Sequence, residues 1–171
     1  MIWRLSHRAD PLALPLADRH YNRQKPGTPQ FAPPGRCFVL VSGDPVTAFW
    51  CTSWPFAEYV KHRWAGAWVC SAFRREGGEV PASEMIRQAV AATLAHYGPA
   101  PDLGMVTFVD RSKVPPLHTR KGDVWGYTYR LAGFTDAGET EGGLLALQLL
   151  PAAMPAPSRA LGGQVSLFGG R

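Results

Sequence analysis

The chain is poor in cysteine, and the few it has exclude two common ways of stabilising a small protein. Cys37, Cys51 and Cys70 are odd in number and widely spaced, so they do not form a disulfide framework. No Cys-x-x-Cys pair occurs, and the histidines do not stand at zinc-ligand spacing from a cysteine, so we expect no bound metal. The pattern is typical of partly buried thiols in a reducing cytoplasm.

Long apolar runs are also missing. No stretch approaches the roughly 18 consecutive apolar residues of a membrane-spanning helix, and residues 1–10 lack the apolar centre of a secretory signal. We therefore expect a cytoplasmic protein with no membrane partner. The chain is nonetheless 46% apolar over 171 residues, which is enough for one domain with a sizeable core.

Acidic residues are fewer than basic ones, 13 against 18, and the net charge is +5. This balance favours a polyanionic partner such as nucleic acid or a phosphorylated cofactor. The cations cluster in residues 19–25 and 111–121. Residues 50–64 are rich in aromatic side chains, which can stack on a nucleic-acid base; the alternative is that these aromatics belong to the core. The residues expected to contact DNA or a modified nucleotide are Tyr21, Arg23, Lys25, Trp54, Arg120 and Lys121.

Turn residues and apolar periodicity predict an α/β fold. The expected elements are a helix (10–21), a hairpin (37–41 and 46–52), a strand (67–73), a helix (83–97), a strand (105–109), a short helix (127–132) and a strand pair (135–139 and 143–150). The central strand–helix–strand segment implies a right-handed crossover and a parallel strand pair. We predict one domain over residues 1–150, a mixed sheet flanked by helices, and a flexible Pro/Ala/Gly-rich tail over residues 151–171.

This order resembles the fold of the GNAT acyltransferases, and residues 67–97 strengthen the resemblance. In that family the corresponding strand, loop and helix hold acyl-coenzyme A, because loop amides and a helix N-terminus bind its pyrophosphate. The family's Arg/Gln-x-x-Gly-x-Gly/Ala pattern is present here with altered spacing, and an ordinary strand-to-helix turn is the alternative. The resemblance implies acetyl-coenzyme A as acyl donor, bound by Arg74, Arg75, Gly77, Gly78 and Ser83, the last also being the expected helix N-cap.

A second segment, Tyr129-Arg-Leu-Ala-Gly-Phe134, is similar to the Tyr-x-x-x-Gly-Phe sequence that closes many GNAT domains. The tyrosine of that sequence often protonates the leaving thiolate, a task suited to a phenol with a pKa near 10. The resemblance therefore implies that Tyr129 is the catalytic acid, the alternative being a core tyrosine. Three candidates remain open for the base that deprotonates an attacking amine: Asp110, His118 and His20.

Near the start of the chain, Arg19-His20-Tyr21 and the Lys/Pro/Gly loop after it resemble phage DNA-modifying GNAT relatives, which include Mom-type adenine modifiers and thymidine-hypermodification acetyltransferases. This resemblance implies an enzyme that acetylates the amine of 5-aminomethyl-2'-deoxyuridine and so protects viral DNA from restriction. The alternatives are a Mom-like adenine modifier and a non-catalytic DNA- or clamp-binding module on a GNAT scaffold. For His20 itself, the alternative is a cation at a helix C-terminus.

The last segment, Gln164-Val165-Ser166-Leu167-Phe168, is similar to the peptide by which bacterial replication proteins dock on the sliding clamp. In such a peptide, Leu167 and Phe168 enter an apolar groove while the Gln164 amide supplies a polar anchor. The sequence thus predicts a bacterial sliding clamp as a partner, unless the segment folds back on the domain.

Overall fold

The structure, a computed structural model, describes residues 1–162. The strands in this part of the chain are β1 (Arg4–Leu5), β2 (Cys37–Ser42), β3 (Ala48–Ser53), β4 (Trp68–Arg75), β5 (Met105–Val109), β6 (Leu117–Thr119), β7 (Gly122–Val124), β8 (Thr135–Glu139) and β9 (Leu145–Leu149). The α-helices are α1 (Leu14–Asp18), α2 (Ala82–Tyr97) and α3 (Tyr127–Leu131). The predicted α/β fold with a mixed central sheet is confirmed.

One parallel pair divides the seven-stranded sheet, whose order is β1-β2-β3-β4-β5-β9-β8. β4 and β5 are the parallel pair, as the strand–helix–strand pattern predicted, whereas the other neighbours in this sheet are antiparallel. The pairing of β4 with β5 covers only two residue pairs, Trp68 with Met105 and Val69 with Val106. Beyond those pairs β4 continues to Arg75 without pairing to β5, so the sheet opens a gap between the carboxyl ends of the two strands.

The main core lies between the sheet and α2. The helix buries an apolar stripe containing Ile86 and Val90 against the fully buried rings of Trp50 and Trp68. Burial of this apolar surface is the main force that fixes the helix on the sheet. A smaller core packs α1 on the other side, around Phe49.

The start of α2 corrects one prediction. The helix begins at Ala82 after Pro81, whose extended backbone stands at the N-cap position, so Ser83 lies inside the first turn and makes no capping hydrogen bond. Proline sets its own φ, and the chain enters the helix directly after it. The helix predicted for residues 10–21 is also shorter than expected: only Leu14–Asp18 is α-helical.

Residues 151–162 pack on the domain, which contradicts the prediction of a flexible tail that starts at residue 151. The N–H of Ser158 donates to the carbonyl of Ala91 at 3.0 Å, and Leu161 exchanges backbone hydrogen bonds with Trp3 and Leu5 at 2.8 and 2.9 Å. These backbone bonds attach a proline-rich segment to the fold, and its Met154 and Ala160 pack against the main core. Within the described chain no helix combines the length and apolar character needed to cross a membrane.

Candidate active site

The gap between β4 and β5 opens into a cleft of about 840 Å³. Its walls come from the ends of both strands, the start of α3, the segment after α1 and the β6–β7 hairpin. A volume of this size is within the range of about 300–1,000 Å³ usual for small-molecule sites. The cations that line it are Arg19, Arg74, Arg75 and Lys113.

The segment after α1 bridges the gap. The hydroxyl of Tyr21 donates to the carbonyl of Phe108 on β5 at 2.9 Å, and the amide of Asn22 donates to the carbonyl of Ser71 on β4 at 2.7 Å. The ring of His20 stacks on Tyr21 with centroids 4.7 Å apart. The His-Tyr pair singled out in the sequence therefore lies at the point where the strands part, and Tyr21 satisfies a strand carbonyl there.

Two smaller cavities adjoin the cleft. One, of about 340 Å³, shares Tyr21, Phe108 and Lys113 with it and is also lined by Asp110. The other, of about 440 Å³, lies beside the α1 core at Phe49. The cleft, by contrast, adjoins the α2 core. The cleft shares Tyr21 with the first of these cavities and His20 with the second, so all three meet at the segment after α1.

Tyr129, the expected catalytic acid, is one of the residues that line the cleft. Its hydroxyl is 3.5 Å from the sulfur of Cys70 on β4, and its ring packs edge-on against Phe134 at 5.4 Å. Burial raises the pKa of Tyr129 well above its ordinary value. The phenol therefore keeps its proton through neutral and mildly alkaline pH.

A glycine lets α3 approach the sheet closely enough to place that tyrosine. Gly126 precedes the helix with φ of 66°, and a Cβ at this position would lie 2.3 Å from a methyl carbon of Leu147 on β9. Both the left-handed backbone and the close approach require glycine here.

His20 is the candidate base that lies in the cleft. It is half-buried, and its Nδ1 is 2.5 Å from the side-chain oxygen of Asn22. The side-chain nitrogen of Asn22 donates to Ser71, and the backbone N–H of Asn22 lies 3.3 Å from Nδ1, so Asn22 holds the imidazole ring on its Nδ1 side. Burial lowers the pKa of His20, opposed by its hydrogen bond to Asn22, so the ring is neutral at pH 7.

The other two candidate bases do not line the cleft. Asp110 lines the 340 Å³ cavity, and the hydroxyl and amide of Ser112 donate to its carboxylate, which lowers the pKa of Asp110. His118 is exposed on the β6–β7 hairpin, 2.6 Å from Asp123, and does not line the cleft.

In the predicted pyrophosphate loop, the arginines already hold an anion. The carboxylate of Glu76 accepts from Arg74 at 2.6 Å and from Arg19 at 2.5 and 2.7 Å. Hydrogen bonds from Arg19 and then Arg74 lower the pKa of Glu76 to about 2. The pairing of Glu76 with Arg19 was not predicted, although Glu76 stands between the arginines and the glycines of the loop.

The rest of that loop is held by a side chain at its start. The guanidinium of Arg75 donates to the carbonyl of Gly78 at 2.5 Å, and Gly78 has φ of 93°, a conformation suited to glycine. A Cβ at Gly77 would lie 3.5 Å from the side chain of Thr47, an ordinary contact. Only the Gly78 position therefore requires glycine for its backbone.

The residues expected to contact DNA separate into two groups. Arg120 and Lys121 are exposed at the tip of the β6–β7 hairpin, and Lys25 lines the 440 Å³ cavity. Arg23 is largely buried and paired with Asp18 at 2.9 Å, so its guanidinium holds the loop together.

Trp54 lies apart from the three cavities and packs on Trp68 and Tyr97. Arg36 covers its ring at 4.3 Å. The interpretation of the aromatic stretch as core is the better one for Trp54. The predicted clamp-binding residues Gln164, Leu167 and Phe168 lie outside the described residues.

Within residues 1–162 no cluster of three or more His, Cys, Asp or Glu side chains is arranged to hold a metal ion. Compared with known protein families, curated proteins and solved structures, the chain has no significant match.

Proposed function

We propose that this protein is a GNAT-type acyltransferase that acts on an amine of a DNA base. The observation that carries the proposal is the parting of the parallel pair β4–β5 over a cleft in which Tyr129 holds a buried, protonated phenol. Support also comes from the element order, in which β4 leads through a loop into α2, and the tyrosine helix α3 comes after β5 and the β6–β7 hairpin.

The cleft fits an acyl donor of the coenzyme A type. Its volume is sufficient, four cations line it, and the end of β4 and the start of α2 adjoin it through Arg75 and Ala82. Bound acetyl-coenzyme A supplies an acyl thioester, and its sulfur leaves as a thiol. Arg74 and Arg75 would hold its phosphates, with backbone amides of the loop at Gly77 and Gly78.

Two side chains supply the proton transfers that amide formation needs. The neutral imidazole of His20 accepts the proton that the attacking amine loses, and the phenol of Tyr129 donates a proton to the departing sulfur. One carbon–nitrogen bond forms as one carbon–sulfur bond breaks. The step leaves His20 protonated and Tyr129 deprotonated, and proton exchange with solvent returns both groups to their starting states. The depressed pKa of His20 and the raised pKa of Tyr129 keep both groups in the required protonation states at pH 7.

The acceptor is proposed to be 5-aminomethyl-2'-deoxyuridine in DNA, as the sequence resemblance implies. The smaller cavities offer space beside the gap, and Lys25 gives one of them a cation for a phosphate. Arg120 and Lys121 stand exposed on the hairpin that borders the cleft, where they can contact the duplex backbone. Such a product would shield viral DNA from restriction.

The test is direct. The protein is incubated with acetyl-coenzyme A and an oligonucleotide carrying a single 5-aminomethyl-uracil, and the product is weighed by mass spectrometry. We expect the mass to rise by one acetyl group, with no change for a matched oligonucleotide that carries thymine. No mass change with acetyl-coenzyme A or longer acyl-coenzyme A donors contradicts the proposal.

A second candidate is a Mom-like adenine modifier that does not use acetyl-coenzyme A in the ordinary way. The observation that favours it is Glu76, which occupies Arg19 and Arg74 beside the expected pyrophosphate loop. Mass spectrometry of nucleosides from cells that express the protein separates the two, because one predicts a modified adenine and the other a modified thymine analogue. A non-catalytic module predicts neither.

A further inference from the structure

Three side chains form a bridge at the edge of the cleft. Glu76, on the loop after β4, accepts hydrogen bonds from Arg74 on β4 and from Arg19 at the end of α1. A guanidinium nitrogen of Arg74 also donates to the carbonyl of Arg19 at 2.7 Å. The two guanidinium groups thus converge on one carboxylate.

Stability gives little reason for this convergence. The side chains are 51%, 33% and 29% exposed for Arg19, Arg74 and Glu76, and ion pairs this accessible contribute little to folding. Two guanidinium groups side by side repel each other unless an anion lies between them. The arrangement therefore has the composition of an anion site that is open to solvent.

Both arginines also line the cleft. The planar fork of a guanidinium matches a carboxylate and a phosphate in the same bidentate manner. A phosphate that enters the cleft would meet these donors in the positions that the Glu76 carboxylate now uses. The backbone N–H of Glu76 is fixed to the carbonyl of Thr47 at 2.8 Å, so rotation of the side chain alone frees the arginines.

We propose that Arg19 and Arg74 form a phosphate-binding site at the edge of the cleft, and that Glu76 fills this site as an internal anion until a phosphate group displaces it. The proposal deepens the proposed function and rests on it for the identity of the ligand. The phosphate has two possible sources, the nucleotide end of coenzyme A and the backbone of DNA. Glu76 then acts as a competitor: a ligand enters the site only if its phosphate binds the two arginines more strongly than the Glu76 carboxylate does.

Calorimetry with inorganic pyrophosphate tests the site itself. Glu76→Gln removes the competing charge and should bind pyrophosphate on the order of 3- to 10-fold more tightly than the parent, the range expected when an exposed ion pair no longer has to be broken. The matched control is Glu79→Gln, in the same loop, which changes the net charge equally. Glu79 is exposed and forms no ion pair with the described residues.

Further variants test which arginines bind the phosphate and which ligand supplies it. Adding Arg19→Gln or Arg74→Gln to the Glu76→Gln chain should abolish the gain. Coenzyme A and a short DNA duplex are then titrated into the Glu76→Gln and Glu79→Gln chains. A gain confined to coenzyme A assigns the site to the acyl donor, and a gain confined to the duplex assigns it to DNA.

Equal pyrophosphate affinity of the Glu76→Gln and Glu79→Gln chains overturns the proposal. Should Glu76→Gln fail to fold, as judged by its melting curve, Glu76→Asp keeps the charge but shortens the bridge and carries the same expectation. The binding measurements need no turnover. A chain that gains pyrophosphate affinity but transfers no acetyl group therefore retains the anion site and contradicts only the proposed function.

Discussion

The hydroxyl of Tyr129 lies 3.5 Å from the sulfur of Cys70, beside the point where β4 leaves β5. Burial raises the pKa of the Cys70 thiol to about 12, so the sulfur carries no charge that would draw the phenol's proton. Both groups are therefore neutral in the free protein. The phenol has its proton available for a stronger base that enters the cleft.

Replacing Tyr129 with phenylalanine removes only the hydroxyl and keeps the ring contacts with Phe134. As a general acid it should contribute roughly 100- to 10,000-fold to turnover, while affinity for coenzyme A barely changes. Steady-state kinetics with a parallel binding titration checks this. Tyr59→Phe, which alters an exposed tyrosine that does not line the cleft, is the control. If turnover of Tyr129→Phe equals that of this control, Tyr129 is structural.

Three histidines link folding to pH. Burial lowers the pKa of His20, His62 and His96. The unfolded chain therefore takes up protons first, and the free energy of unfolding should fall as the pH drops below about 6.5. Urea unfolding at successive pH values between 7.5 and 5 measures the slope.

The control for this slope is His96→Phe, which keeps a ring stacked on Phe38 and removes one titrating group. Its unfolding free energy should depend less steeply on pH over the same interval. An identical slope in both chains would show that these histidines do not determine the acid sensitivity.

Tyr21→Phe should weaken the bridge across the gap. The change leaves the Phe108 carbonyl without its 2.9 Å donor, and a lost hydrogen bond of this kind costs about 0.5–1.5 kcal/mol. The melting temperature should fall by about 2–4 °C per kcal/mol in a chain of this size. Tyr59→Phe alters an exposed hydroxyl and should leave the melting temperature unchanged. If the two variants melt at the same temperature, the Tyr21 hydroxyl does not stabilise the bridge across the gap.

Arg120→Ala with Lys121→Ala removes the cations at the tip of the β6–β7 hairpin. Affinity for a DNA duplex should fall. The slope of log affinity against log salt concentration should become shallower by about 2, because each cation is expected to contact one phosphate. Acetylation of the free nucleoside should be unaffected. Arg159→Ala changes an exposed cation outside the hairpin and serves as control; an unchanged salt slope in the double variant excludes the hairpin from DNA contact.

A chain that ends at Gly162 tests the clamp-binding motif. It keeps the backbone bonds of Leu161, so it should melt like the full chain while losing affinity for a bacterial sliding clamp, expected on the order of micromolar. Leu167→Ala with Phe168→Ala should lose the same affinity. A chain that ends at Ala160 should melt lower because those bonds are gone. Absence of clamp binding by the full chain contradicts the motif.

The sequence predicted those elements whose signals are local. The turn Gly43-Asp44-Pro45 between two strand-forming segments located the β2–β3 hairpin, and the regular spacing around Ile86 located α2. The strand–helix–strand order also predicted the parallel pair correctly. Each of these depends on residues close together in the chain.

The features that the sequence did not reveal depend on contacts between distant residues. Glu76 meets Arg19 across 57 positions, and Ser158 meets Ala91 across 67, so no local spacing signals either contact. The start of α2 was misplaced because Ser83 is the better cap by composition, whereas the backbone of Pro81 determines the entry.

The backbone bonds of Leu161 also have a consequence for how copies of this chain can associate. At one edge of the sheet β1 is only two residues long, and Leu161 accepts the N–H of Leu5 there. At the other edge, β8 carries acidic side chains and its register is broken between Asp136 and Gly138. Short, bulged or charged edges resist the addition of a foreign strand. Neither edge therefore offers a template for joining sheets from two molecules, and self-association would have to use the faces of the domain.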